Sequence, residues 1–168
     1  MLRGPASSLR RALLGALLVA ACSGSSGPGP QQTTFPPGQR VTRGHEVAVE
    51  LLGARYELDR VELQAKLSNR GTAPLTLDRE GILLEYGELE FPLVDTEAGA
   101  LAAQTTVPPG EAVELTLAFV TEQALVEAAT LHLLSMQRGP GQWVEPLALP
   151  VPPSAAFVDA AQPTSDEP

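Results

Sequence analysis

The stretch Val61-Glu62-Leu63-Gln64-Ala65-Lys66-Leu67-Ser68-Asn69-Arg70-Gly71 decides the fold class. Val61, Leu63, Ala65 and Leu67 alternate with Glu62, Gln64, Lys66 and Ser68, the period of a strand with one buried face. The run ends in Asn-Arg-Gly followed by Thr72-Ala73-Pro74, where Asn and Gly tolerate positive φ and Pro stops pairing. Val113, Leu115, Leu117 and Phe119 repeat the alternation against Glu114, Thr116 and Ala118, behind the turn Pro108-Pro109-Gly110-Glu111. Val47 and Val49 alternate with Glu46, Ala48 and Glu50.

Outward from these strands, Gly87 between Leu83-Leu84-Glu85-Tyr86 and Leu89-Glu90-Phe91 predicts a hairpin. Residues 130–136 and 142–149 read as closing strands around the turn Arg138-Gly139-Pro140-Gly141, with Pro146 pushing the last toward a sheet edge. Thr121 to Ala129 departs from the pattern: good helix formers follow an N-cap candidate, Thr121, with Glu122 in the first turn. A short helix is expected there. Short strands separated by regular turn signals point to an all-β antiparallel sandwich.

Three stretches together resemble the small immunoglobulin-like domains of bacterial lipoproteins and secreted proteins. They are Val61 to Gly71, Ala73-Pro74-Leu75-Thr76-Leu77 followed by Ile82-Leu83-Leu84, and Val107-Pro108-Pro109-Gly110-Glu111-Ala112-Val113 running into Leu115 to Phe119. The resemblance covers roughly residues 45–150 and implies an immunoglobulin-like β-sandwich. Its motifs shape turns and core, so they carry no catalytic residue across.

The N-terminus gives an address. Arg3, Arg10 and Arg11 precede an apolar stretch, Ala12 to Ala21, that ends at Cys22, the sole cysteine. About ten apolar residues suit the core of a signal peptide and fall short of the roughly twenty that cross a bilayer. Val19-Ala20-Ala21-Cys22 resembles the lipobox of bacterial lipoproteins, which implies cleavage before Cys22 and a diacylglyceryl group on its thiol, with a further acyl chain, such as palmitate, on the freed amine. Two or more chains hold a protein stably at a membrane. Ser23, where an aspartate would favour inner-membrane retention in enterobacterial lipoproteins, implies the outer membrane.

Four segments follow: a signal peptide over 1–21, a flexible tether over 22–40 starting at lipidated Cys22, a β-sandwich over 41–150 and a disordered tail over 151–168. Residues 23–40 are rich in Gly, Pro, Ser and Gln and offer little to bury. Eighteen flexible residues reach roughly 5–6 Å × √18, about 24 Å. In the tail, Phe157 and Val158 are the residues expected to dock loosely. Removing residues 1–21 takes three arginines and no acid, so the net charge goes from −9 to −12. Nucleic acid is thereby disfavoured as a partner, and acyl chains are left as the source of membrane affinity. With Cys22 consumed by lipid, no disulfide forms.

Little of the remainder promises chemistry. His132 alternates with Leu131 and Leu133 and belongs on an exposed face, while His45 has only Glu46 beside it; a metal site needs more ligands than either supplies. Glu85, Glu88, Glu90, Asp95 and Glu97 cluster around the predicted hairpin, but alternating acids usually form a solvated face and no calcium-loop motif accompanies them. Neither a nucleophile elbow nor a phosphate loop occurs. No cofactor is expected. Trp143 and Arg138 bracket the last turn, and both residue types anchor interfaces. They are the candidate partner contact, although a lone tryptophan in a small domain more often covers the end of the core. The sequence thus predicts a non-enzymatic, lipid-anchored envelope protein that binds an unidentified envelope partner. The alternatives are a periplasmic ligand- or metal-binding module and a hydrolase with a scattered site.

Overall fold

The computed structural model describes residues 29–96 and 99–161. The signal peptide, Cys22 and Glu97 lie outside the described residues. In chain order the strands are β1 (Gln31–Thr34), β2 (Val41–Arg43), β3 (Val47–Tyr56), β4 (Arg60–Asn69), β5 (Leu75–Asp78), β6 (Ile82–Tyr86), β7 (Leu89–Val94), β8 (Gln104–Val107), β9 (Ala112–Val120), β10 (Ala129–Leu133), β11 (Met136–Arg138), β12 (Gln142–Trp143) and β13 (Leu147–Val151). A 3-10 turn spans Arg79–Gly81 and a helix, α1, spans Ala155–Ala161.

The protein is nearly all-β, with antiparallel curled sheets. The larger runs β1-β3-β4-β9-β7-β6-β10-β13, with β2 also pairing β3, and the smaller runs β12-β11-β5-β8. The curl brings the margins of the larger sheet together. Thr42 Oγ1 on β2 donates to the Ala148 carbonyl on β13 at 2.8 Å, and a side chain at Gly44 would strike Leu147 at 2.9 Å. One core draws on both sheets: Leu63, Leu67, Leu117 and Phe119 from the larger meet Leu75, Leu77 and Met136 from the smaller.

The alternations of β4 and β9 resolve as expected, with Val61, Leu63, Ala65, Leu67, Leu115, Leu117 and Phe119 buried. Val113 is only half-buried, and Ala118 is buried although its parity points outward; it pairs with Val94 where β7 joins β9. Tyr86 faces Leu89 across a two-residue turn opened by Gly87 at φ 64, a glycine at the first turn position as tight hairpins favour.

The structure corrects four expectations. The tether reaching to residue 40 gives way at Gln31: β1 pairs with β3 in the register Gln31–Tyr56 to Thr34–Gly53, Phe35 packs on the core and the Arg40 guanidinium lies 4.9 Å from the Phe35 ring centroid. Residues 121–129 form no helix. Glu122 sits at φ 58, incompatible with a right-handed first turn; Thr121 Oγ1 donates to the Gln123 carbonyl instead of capping, and Leu125 fills the core. The helix lies at 155–161, inside the predicted tail, where Val151 completes β13 and Phe157 is buried. Finally, the closing strand over 130–136 splits: β10 belongs to the larger sheet and β11 to the smaller. β13 does lie at the sheet's end.

Candidate interaction site

Asn69 closes the end of β4 through its side chain. Its Nδ2 donates to the carbonyls of Ala73 (2.8 Å) and Val107 (3.0 Å), and its Oδ1 accepts from the Gly71 N–H (3.0 Å). Its backbone exchanges bonds with Glu111 and Gly110. Neither Asn69 nor Gly71 has positive φ, so the turn uses Asn for hydrogen bonds and Gly for space.

That space belongs to Arg138. A Cβ on Gly71 would lie 2.9 Å from Arg138 Nε and 3.0 Å from Glu46 Oε2. The guanidinium runs over Gly71, donates from Nη1 to Glu46 Oε2 at 2.6 Å and from Nη2 to the His45 carbonyl at 3.4 Å. Its side chain is 13% exposed against 39% for Glu46. Arg138 Nε is buried without a hydrogen-bond partner, a desolvation cost that the ion pair helps offset. Glu46 is held at φ 58, a conformation that costs a non-glycine residue about 1–3 kcal/mol and concentrates at functional positions.

Trp143 stands next to this corner. The register Gln137–Trp143 and Arg138–Gln142 places it opposite Gln137, one residue along from the half-buried Arg138. It is 67% exposed, which overturns its reading as core cover: β12 is the edge of the smaller sheet, and the ring projects off it. A pocket of about 120 Å³ is lined by His45, Arg138, Gln142, Trp143, Val144 and Glu145. The guanidinium is clamped and mostly covered while the indole is exposed, so Trp143 supplies the accessible aromatic surface of this corner, a residue type favoured at interfaces.

The other sequence candidates do not converge on this corner. His132 is half-buried, its Nε2 2.7 Å from Glu85 Oε2 on the neighbouring strand. Asp95 pairs with Arg79 and its carbonyl accepts from Arg60. Glu85 and Glu90 face each other across β6 and β7. Among the described residues, no three His, Cys, Asp or Glu side chains gather as metal ligands. A wider depression of about 500 Å³, lined by Asp78, Arg79, Glu80, Ala103 and Gln104, holds no nucleophile–base pair among those residues. The sequence named Arg138 and Trp143 but missed Glu46 and the role of Gly71. Glu46 lies 92 residues from Arg138, so no local spacing could reveal the pair.

No protein-family model matches the chain, and no curated protein matches it. Solved structures do resemble it. One, a putative lipoprotein (ycdA) from Bacillus subtilis, aligns with a TM-score of 0.58 and 16% identity over 72% of this chain and 41% of its own. This chain therefore spans less than half of that protein's length. A functionally unknown protein from Listeria monocytogenes aligns at 0.50 with 9% identity, over 76% of this chain and 90% of its own. At such identities the likeness concerns the fold alone.

Proposed function

We propose that this protein is a lipid-anchored component of the bacterial cell envelope whose immunoglobulin-like β-sandwich acts by contact with a protein partner and not by catalysis. The observation that carries this reading is the apolar run Ala12 to Ala21 closing in Val19-Ala20-Ala21-Cys22 behind three arginines. Acylated Cys22 is the membrane attachment, and Ser23 in second place favours the outer membrane. The similar structure ycdA is itself named a putative lipoprotein, which agrees with this reading. Among the described residues no helix is long and apolar enough to cross a membrane.

Contact is favoured over chemistry by the exposed Trp143 beside Arg138. Cys22→Ala tests the anchor: the variant is expected to leave the membrane fraction, and unchanged fractionation contradicts the proposal. Trp143→Ala tests the contact. Loss of a cross-linked partner with an unchanged melting temperature supports it, and an unchanged cross-link pattern contradicts it.

A further inference from the structure

The position of β1 gives the anchor a direction. The chain enters the fold at Gln31, paired with Tyr56, at the end where the β3–β4 hairpin turns through Glu57, Leu58 and Asp59. Leu58 is exposed there. At the other end of β3, Val47 pairs with Asn69, beside Glu46, Arg138 and Trp143. Nine residue steps of strand, at about 3.3 Å each, separate the two ends by about 30 Å.

Only residues 23–30 lie between Cys22 and β1. Whatever path they take, nine Cα–Cα steps span at most about 30–32 Å. Had the fold begun at residue 41, the same limit would be about 60 Å or more, and either end of the domain could meet the bilayer. With the shorter leash, bringing the Arg138–Trp143 corner to the headgroups requires the whole leash pulled taut along the sheet, which forfeits nearly all of its conformational freedom. Lying on its side needs less chain, but it presses a chain of net charge −12 after cleavage against anionic lipid, and that is repulsive.

We propose that the lipid and β1 together mount the domain in one polarity: the Leu58 end faces the headgroups and the Arg138–Trp143 corner faces the aqueous compartment. The proposal rests on acylation of Cys22 and adds to it a membrane-facing end. The polarity comes from the leash and not from adhesion, since Glu57, Asp59, Glu62 and Glu122 outnumber Arg55 and Arg60 around the hairpin. A protein that binds the corner is therefore met away from the bilayer that holds the anchor.

Acylation consumes the sole native thiol, so one introduced cysteine is a unique labelling position. The full acylated protein, labelled at Leu58→Cys or at Gln142→Cys, is reconstituted into vesicles containing anionic lipid and a membrane-confined acceptor dye. Several-fold more energy transfer from position 58 than from 142 is expected. Inserting ten Gly/Ser residues after Pro28 is expected to bring the ratio toward one. Equal or reversed transfer in vesicle-bound protein overturns the polarity while leaving the anchor intact, and a ratio unmoved by the insertion overturns the leash as its cause. Protein that never associates with vesicles defeats the anchor itself, and the polarity with it.

Discussion

Arg138 Nη1 and Glu46 Oε2 stand 2.6 Å apart, joining the smaller sheet to the start of β3 across 92 residues of sequence. The contact works because Gly71 leaves room for the guanidinium and Glu46 accepts φ 58. Two substitutions at Glu46 separate its carboxylate from its backbone. Glu46→Ala loses the ion pair and keeps the strain of the left-handed conformation, whereas Glu46→Gly loses the pair and relieves that strain. With Glu46 this exposed, solvent screening limits the pair to about 1 kcal/mol. Glu46→Ala is expected to be the less stable of the two by about 1 kcal/mol in chemical denaturation; equal stability would mean the backbone conformation costs nothing.

Gly71→Ala places a methyl group within 3.0 Å of the Arg138 guanidinium. The atoms it meets are the ends of two flexible side chains, so the cost falls at the low end of overpacking, about 1 kcal/mol. The displaced arginine should also alter Trp143 fluorescence, as β11 carries Arg138 opposite β12. A wild-type melting curve together with an unmoved emission maximum would show that the corner tolerates a Cβ.

Asn69→Ala removes three side-chain hydrogen bonds from a residue that is 1% exposed. The abandoned carbonyls and the Gly71 N–H make this a cost of about 2–3 kcal/mol. For comparison, Leu117→Ala or Phe119→Ala, at fully buried core positions, should cost about 2–5 kcal/mol. Calorimetry of the three variants checks both figures; a wild-type melting temperature for either core variant would mean that the β9 register is wrong.

The Tyr56 hydroxyl donates to the Pro152 carbonyl at 2.6 Å and pins the segment that leads into α1. Burial pushes its pKa up to about 12, against a weaker opposing pull from Arg40. A phenol whose pKa is higher folded than unfolded contributes stability that is complete below the unfolded value, near 10, and fades as pH rises toward about 12. Tyr56→Phe should flatten the loss of stability between pH 10 and 12. An equally steep alkaline limb in the variant would assign that loss to other groups.

Where a local signal existed, the fold was legible. The alternation of Val61 to Leu67, the hairpin at Gly87 and the turn at Pro109-Gly110, where Gly110 adopts φ 76, all announce themselves within a few residues. β1 does not, because Gln31-Gln32-Thr33-Thr34 has no apolar face and is held by backbone pairing at the sheet edge. Helix propensity at 121–129 yielded to the burial of Leu125 and the left-handed turn at Glu122. Trp143 misled for a related reason: apolar bulk argues for burial, but a two-residue edge strand has no neighbour to cover it. Arg138 and Trp143 could be picked out by residue type, whereas Glu46 required the tertiary structure.

The proposed anchor is Cys22, and its chemistry can be read directly. After cleavage before Cys22, the first tryptic site is Arg40, so the mature N-terminal peptide is Cys22 to Arg40. Mass spectrometry of membrane-extracted protein is expected to find this peptide with a diacylglyceryl adduct on Cys22. The same peptide with a free thiol, or an N-terminus generated elsewhere in residues 1–40, would contradict the account.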